Sequence, residues 1–436
     1  MNRLSTHIIN VLLFAIVGLV SGSCIYDNDG GTDVDGQEAL IVFKISTEGA
    51  SAMQATDIIE TVKSLRVIII DERGRLDINE KVTLQAPEYA AKNFSYIFVG
   101  SLKPGTKRVY LVANEESAGE VQLTERTGIP DNIPLTSLTA LLDWFGADPG
   151  NIAESGYTGK TFARVLDRVY FKNDYSRITS GNTIALPYSA YYEIDTEHYL
   201  QNGPDGEKGP EERPLYLVPV AAKFDFVFTN YRKYDAYVDD IVISSLNSHN
   251  YLNAQLDDSE KRRKLPDGTT NVWWIDWLEA CARESQSAED NGSFNQRWGW
   301  IAKYGMPVEN EAMTELPLNS GKNVWMVERL VDKSNPSRIS VGPFYVPESF
   351  NVPYPSSDGA GQSYSLTFKV HDGTGAEDAE EVTTLSGYTL DALKALFRAT
   401  HTIVYVQFYE SKADIYAEIV PWSERLFMGY VQQDDD

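Results

Sequence analysis

Apolar side chains dominate residues 39–47, the first stretch after the N-terminal leader that can form a regular element. Successive side chains of a strand point to opposite faces, so Ile41, Phe43 and Ile45 share one face. The residues between them are also mostly apolar. Because both faces carry apolar groups, the pattern predicts a strand inside a sheet rather than a bare edge strand.

Short runs rich in β-branched and aromatic residues, bounded by turn residues, predict two series of strands. The first series is predicted at residues 65–71, 76–84, 94–102, 108–114, 184–194 and 215–220. The second series is predicted at residues 222–229, 237–246, 324–329, 364–370, 402–409 and 415–420. Gly74 is expected to take a positive φ in the turn of the first hairpin. The sequence therefore predicts an all-β protein with two sets of strands joined near residues 220–222.

Two stretches have helical spacing of their apolar residues. Residues 135–145 are predicted to pack across one end of a sandwich, with one apolar side formed by Leu138, Leu141, Leu142 and Phe145. Residues 389–400 are predicted to form a short amphipathic helix whose inward side carries Leu390, Leu393, Leu396 and Phe397.

The N-terminus has the pattern of an export signal. Arg3 supplies a positive charge, and an apolar core at residues 8–20 is shorter than the roughly 20 residues that a membrane-spanning helix needs. Small residues then lead to Cys24, which predicts a lipoprotein signal peptide at residues 1–23 and lipidation of Cys24. An ordinary cleaved signal with an incidental cysteine is the alternative.

Residues 24–38 are acidic and glycine-rich after the cysteine, so they are predicted to be a flexible tether. Their aspartates lack the spacing of a calcium-binding loop, and no metal site is predicted there. Beyond the tether, the chain length suits two domains. These are predicted at residues 39–221 and 222–436.

The formal charge of −25 disfavours nucleic acid and anionic lipid as partners, because phosphate groups are bound by clustered cations. The second cysteine, Cys281, has no partner if Cys24 is lipidated, so no disulfide is predicted in the mature chain. Five histidines are scattered, and no hydrolase, nucleotide-binding or metalloprotease motif is present. We therefore predict neither enzyme activity nor a cofactor, and interpret His401 as a structural residue.

An aromatic-rich insertion is predicted at about residues 256–318 of the second domain. It contains five of the eight tryptophans of the chain, Trp273, Trp274, Trp277, Trp298 and Trp300. These residues are candidates for a recognition surface, because exposed aromatic rings stack on sugars or anchor protein partners. The alternative is that they form the small core of the insertion itself.

Several segments, taken in order, resemble the fimbrillins, the type V pilins of Bacteroidetes. They lie at residues 64–82, 107–116, 186–189, 218–230, 344–349, 397–408 and 417–422. The resemblance covers most of the mature chain, and implies two tandem transthyretin-like β-sandwich domains with short helices. It also implies a lipidated precursor that becomes part of surface fimbriae. In shaft subunits of that family a protease removes the first strand, and a neighbour's strand fills the groove.

One departure from the family concerns this cleavage. The family protease cuts after arginine, yet no arginine lies between Cys24 and Arg66, where only Lys44 and Lys63 are basic. Either another protease cuts near residues 48–61, or the first strand is retained. Retention would fit a tip, accessory or anchoring subunit.

The expected function is therefore a fimbrial subunit that assembles by β-strand exchange at the cell surface and mediates adhesion. Its strand-exchange residues would be Ile41, Phe43 and Ile45, and its partners other fimbrial subunits and a surface glycan or protein. The only membrane attachment expected is a lipid anchor in the outer membrane. The alternative is a non-polymerising surface lipoprotein that binds glycan or protein through the tryptophan-rich insertion.

Overall fold

Strands dominate the structure, as the alternating sequence pattern predicts. The computed structural model describes residues 38–46, 61–72, 74–84, 95–123, 133–146, 165–166, 168–172, 185–196, 215–246, 249–253, 314–318, 324–332, 336–349, 364–372, 383–390, 396, 398–410 and 412–421. These residues form an all-β fold arranged in several sheets. They fall within a single compact unit of the chain.

The strands have the following bounds. The first ten are β1 (Ala39–Ser46), β2 (Ser64–Asp71), β3 (Leu76–Thr83), β4 (Ser95–Leu102), β5 (Thr106–Ala113), β6 (Val121–Leu123), β7 (Val169–Lys172), β8 (Tyr188–Asp195), β9 (Leu215–Tyr216) and β10 (Val218–Pro219). The next ten are β11 (Ala222–Asn230), β12 (Ala236–Leu246), β13 (His249–Tyr251), β14 (Thr314–Pro317), β15 (Trp325–Val327), β16 (Ser337–Val346), β17 (Ser365–Asp372), β18 (Thr383–Thr389), β19 (Thr400–Phe408) and β20 (Ala413–Pro421). Helix α1 spans Leu138–Gly146, and Glu115–Ser117 form a 3₁₀ turn.

Strands β1 to β5 and β8 to β10 build two sheets that share an apolar core. One is three-stranded in the order β4-β1-β9, and the other is five-stranded in the order β10-β8-β5-β2-β3. The first hairpin is as predicted, with Gly74 at φ 84° in its turn. Between β9 and β10 the chain passes from the first sheet to the second at the buried residue Leu217. The two sheets thus meet around side chains such as Phe43, Val67 and Leu111.

Helix α1 covers the second face of the five-stranded sheet. Every residue of β2 is buried, so Ile68 and Ile70, which point away from the main core, need an apolar cover of their own. The helix supplies it with the predicted apolar side, Leu138, Leu141, Leu142 and Phe145. The predicted apolar side of the helix is therefore confirmed. The predicted place across one end of a sandwich is wrong, because the helix packs on the apolar outer face of β2 and β5.

The strands from β11 onwards, apart from β13, build two more sheets. Their orders are β16-β11-β19-β20 and β14-β12-β17-β18, and β15 also pairs with β12. Strands β11 and β19 run parallel, whereas the other pairs of these sheets are antiparallel. Stacked and edge-on phenylalanine rings fill their core, for example Phe228 with Phe408 at 5.5 Å and Phe226 with Phe368 at 6.2 Å between ring centroids.

The helix predicted at residues 389–400 is wrong where the structure describes it. Leu396 forms an isolated antiparallel bridge with Ser349, and β19 already begins at Thr400. Leu390 and Leu396 are nevertheless buried, as predicted. Leu393 and Phe397 lie outside the described residues.

A fifth sheet joins distant parts of the chain. Strand β13, which follows β12, pairs with β7, and β7 pairs with β6. A segment beyond residue 222 is thereby hydrogen-bonded to strands that precede it. The domain boundary after residue 221 stays a prediction. Within the described residues, no helix is long and apolar enough to span a membrane.

Candidate functional site around the first strand

Strand β1 lies in the middle of its sheet, so the prediction of an internal strand is confirmed. It pairs with β4 in antiparallel register along its whole length, from Ala39 opposite Leu102 to Ser46 opposite Ser95. The buried side chains decide this register, because a shift by one residue would turn Ile41, Phe43 and Ile45 away from the core.

The other edge of β1 is covered much less. Strand β9 runs parallel to β1 and pairs only with its end, where Ile45 faces Leu215 and Ser46 faces Tyr216. No other strand of the described residues pairs with this edge. The hydroxyl of Tyr192, from β8 of the opposite sheet, donates to the carbonyl of Tyr216 and accepts from its N–H, both at 2.7 Å. This buried phenol fixes β9 beside β1.

The inward face of β1 is completely buried. Ile41, Phe43 and Ile45 each have 0% of their surface exposed and belong to the main core. The ring of Phe43 stacks on that of Phe98 in β4, with centroids 6.2 Å apart. Opposite Ile41 lies Gly100, where an added Cβ would come within 2.7 Å of Ile78 Cδ1. The structure thus brings the three predicted strand-exchange residues together in one slot.

The outward face of β1 and β4 is partly exposed and apolar. Leu40 is 42% exposed, Ile97 46% and Val99 52%, whereas Val42 between them is buried. Both faces of β1 are therefore apolar, but only one of them is covered.

A buried charged network stands on the neighbouring sheet. The guanidinium of Arg66 in β2 pairs with Glu115 at 2.7 Å and with Asp143 at 2.5 Å. Lys81 in β3 pairs with Glu115 at 2.9 Å and with Glu116 at 2.6 Å. Burial would lower the pKa of Arg66, but the hydrogen bonds and charges of Glu115 and Asp143 raise it above its usual value. Glu115 and Asp143 thus hold the positive charge of Arg66 inside the sheet.

The same network shifts the pKa values of the exposed Glu116 and the half-buried Lys81. Burial alone would raise the pKa of Glu116, but hydrogen bonds from Lys81 and from Ser64 hold it below its usual value. Burial alone would lower the pKa of Lys81, and the bonds to Glu116 and Glu115 raise it above its usual value. Each shift favours the charged form that the ion pairs need.

Two of the described histidines, His401 and His371, each meet a carboxylate. Nε2 of His401 lies 2.7 Å from Asp225, and Nδ1 of His371 lies 2.7 Å from Asp239. The ring of His371 also stacks on Tyr237. No group of three or more potential metal ligands occurs among the described residues.

Several predicted sites lie outside the described residues. These are Cys24 and the candidate binding residues Trp273, Trp274, Trp277, Trp298 and Trp300. The lipidation of Cys24 and the role of the tryptophans therefore stay predictions. Sequence reasoning also missed β9 as a neighbour of β1 and the close approach at Gly100. A glycine inside an alternating strand is a signal for such an approach.

Comparison with solved structures identifies a class of similar proteins. The chain is similar to fimbrial proteins. The tip fimbrial protein Mfa3 from Porphyromonas gingivalis, with a C-terminal truncation, shares 13% identity at a TM-score of 0.44, over 88% of this chain and 100% of Mfa3. The fimbrilin FimA from the same species shares 10% identity at a TM-score of 0.40, over 89% of this chain and 99% of FimA.

A fimbrial assembly protein from Parabacteroides distasonis shares 11% identity at a TM-score of 0.36, over 88% of this chain and 98% of its own. No protein-family model and no curated protein sequence matches the chain.

Proposed function

We propose that this chain is a fimbrial subunit of the bacterial surface that assembles by strand exchange, with β1 as the replaceable strand, and serves adhesion. The subunit is delivered to the outer membrane as a precursor lipidated at Cys24. Its partners are other fimbrial subunits, and its adhesion ligand is a surface glycan or protein.

The observation that carries this proposal is the position of β1. It lies at the start of the described chain, fills a core slot with three fully buried side chains, and meets β9 over only two residues on its second edge. Main-chain hydrogen bonds do not depend on which molecule supplies the strand. A strand with the same alternation could therefore satisfy both β4 and the core in its place.

The energetics indicate that β1 does not leave unaided. Burial of the side chains of Ile41, Phe43 and Ile45 stabilises the folded state by about 1.5–3 kcal/mol each. Eight residues of β1 also face partners in β4. Release therefore requires a break in the chain after β1 together with a competing strand of the same apolar pattern.

Limited proteolysis of the non-lipidated mature chain tests the proposal. A single cut is introduced between residues 47 and 61, and the products are separated by size with and without an excess of a peptide matching residues 39–47. Without the peptide, we expect the cut chain to form oligomers. With an excess of the peptide, which carries a label, we expect the cut chain to bind labelled peptide in place of β1. A cut product that stays strictly monomeric and excludes the peptide would contradict the proposal and favour the non-polymerising lipoprotein.

A matched pair of variants sharpens the test. Phe43→Ala weakens the hold of β1 on the core and should speed peptide uptake after the cut. Leu40→Ala removes an apolar side chain from the exposed face of the same strand and should leave the uptake rate unchanged. Mass spectrometry of the mature N-terminus from cells would separately show whether the chain begins at acylated Cys24 or beyond Thr47.

A further inference from the structure

A saturated arginine lies where the two sets of strands meet. Arg398, at the turn before β19, has 1% of its side chain exposed. Its guanidinium makes five hydrogen bonds, as many as an arginine side chain can donate. Two go to the carboxylate of Glu348, at 3.0 and 2.8 Å. The backbone N–H of Arg398 donates to the same carboxylate at 2.9 Å.

The other three acceptors come from elsewhere in the chain. Ser189 Oγ in β8 accepts at 3.2 Å, and the carbonyls of Leu252 and Tyr251 accept at 2.9 and 2.8 Å. The Ser189 hydroxyl in turn donates to the carbonyl of Leu252. One side chain thus connects the five-stranded sheet of β8, the segment around β13 and the end of β16.

The segment 249–253 is itself held by the earlier strands. Besides the pairing of β13 with β7, the N–H of Leu252 donates to the carbonyl of Val169 at 2.9 Å. Leu252 is buried in the same apolar cluster as helix α1. The ring of Tyr251 packs edge-on against Tyr170, with centroids 6.3 Å apart. A piece of the second set of strands is therefore inserted into the first.

Three of the segments that carry the sequence resemblance meet at this network. Ser189 closes the segment 186–189, Glu348 lies in 344–349, and Arg398 lies in 397–408. Strand exchange at β1 uses none of them. All three segments therefore contribute a residue to one hydrogen-bond network around the Arg398 guanidinium.

Hydrogen bonds fix the relative orientation of the elements that they join, whereas apolar contacts do not. Apolar surfaces attract without a preferred direction, and domains joined by a modest interface ordinarily move relative to each other. A planar guanidinium with acceptors on several elements allows one arrangement only. Replacing a buried ion pair by apolar residues need not cost stability, so its effect on geometry can be measured separately.

We infer that Arg398, Glu348, Ser189 and residues 249–253 form a lock that makes both sets of strands one rigid body able to transmit tension. Rotation at the junction near residue 221 is blocked. The transmission of tension rests on the proposed function, because strand exchange would place tension along the subunit. The rigidity itself concerns the single molecule and does not depend on polymerisation.

Spin-label distances in the full, non-lipidated chain test the lock. Cys24→Ser and Cys281→Ser remove the native thiols, and labels are placed at the exposed positions Glu72 and Lys412, one in each set of strands. The unaltered lock should give one narrow distance distribution. The monomer is measured throughout, so a failure of strand exchange would leave this result unaffected.

The decisive variant is the double substitution Arg398→Met with Glu348→Leu, which leaves no unpaired buried charge. We expect its distance distribution to broaden at least about two-fold, as for domains joined without a lock. Arg66→Met is the matched control, because Arg66 is also buried against a carboxylate, but entirely within the first set of strands. It should lower the melting temperature and leave the distribution narrow.

A narrow distribution in the double variant, with its native circular dichroism spectrum, would overturn the lock. Broadening by Arg66→Met equal to that of the double variant would overturn it as well. In that case loosening would follow from lost stability at any site. If the double variant does not fold, the single substitution Ser189→Ala, which removes one of the five acceptors, should still broaden the distribution measurably. An unchanged distribution in that variant would contradict the lock too.

Discussion

Replacing Phe43 by alanine is the most direct test of whether β1 is part of the core. The ring is fully buried and stacks on Phe98 across the β1–β4 ladder. Substitutions of buried phenylalanine by alanine lower the free energy of unfolding by about 3–5 kcal/mol. Of this loss, about 0.5–1.5 kcal/mol belongs to the ring pair. Because domains are stable by about 5–15 kcal/mol, the variant should lose a large part of its stability.

Urea unfolding of the full chain, followed by far-UV circular dichroism, measures the loss. The slope with urea should stay the same, since the surface exposed on unfolding hardly changes. Leu40→Ala, on the exposed face of the same strand, should change the free energy of unfolding by no more than about 0.5 kcal/mol. The double variant Phe43→Ala with Phe98→Ala should cost less than the sum of the single variants, because the two rings share one contact.

Two outcomes would refute this reasoning. A cost below about 1 kcal/mol for Phe43→Ala would mean that β1 does not complete the core. Equal costs for Phe43→Ala and Leu40→Ala would mean that the two faces of β1 are not distinguished in solution. Either outcome would also remove the basis for strand exchange.

Other changes have equally definite expectations. Gly342 has φ 137°, and a Cβ there would lie 2.2 Å from a carboxylate oxygen, so Gly342→Ala should cost at least about 3 kcal/mol in thermal unfolding. Gly105 has the same φ with open space around it, so Gly105→Ala should cost only about 1 kcal/mol. Tyr192→Phe removes both buried hydrogen bonds to the backbone of Tyr216 and should cost about 1–3 kcal/mol in urea unfolding, with faster hydrogen exchange at the Tyr216 amide. The pKa of Glu116 is depressed in the folded protein, so its contribution to the free energy of unfolding is complete above the unfolded pKa of 4.5. This contribution is lost as the pH falls through the lower folded pKa. Glu116→Gln should therefore flatten the acid side of the curve of stability against pH.

The strongest sequence patterns predict the elements whose reasons are local. Strand β2 is a mostly apolar run, and its prediction at residues 65–71 differs from Ser64–Asp71 by one residue. Strand β1 has Ile41, Phe43 and Ile45 on one face, and this face is buried as predicted. In both cases the side chains alone decide which face needs an apolar cover.

Strand β16 was missed for a physical reason. Its interior contains Gly342 and Pro343, residues that ordinarily argue against a strand. In the structure the pairing of β11 with β16 shifts register between Phe224 and Phe226, beside this pair. A bulge accommodates both residues, and only the partner strand shows that it is there.

The Arg398 network could not be predicted from local sequence patterns. Glu348 is 50 positions away from Arg398 along the chain, and Ser189 is 209 positions away. An isolated arginine next to a turn reads as a surface residue, since arginine is rarely buried unless paired. The three-residue strand β13 is too short to predict, and its partner β7 precedes it by a long stretch of chain.

Whether β1 stays or leaves depends on where the chain can be cut, and the structure narrows the choice. Lys44 lies within β1 opposite Ile97, so a cut there would divide the strand itself. At Lys63 the backbone is already fixed, because its N–H donates to Asn114 and its carbonyl accepts from Leu84. The Asn114 amide also binds the carbonyl of Thr61 at 2.8 Å.

The next basic residue, Arg66, is buried in β2 with its guanidinium paired. A protease that needs lysine or arginine therefore meets no basic site between Cys24 and Arg66 that could be cut without dividing β1 or opening the start of β2. Removal of β1 requires a protease of another specificity acting on residues 47–60, which contain Glu48, Asp57 and Glu60. Without such a protease the strand is retained, and under the proposed function the subunit would then take a tip, accessory or anchoring place rather than a place in the shaft.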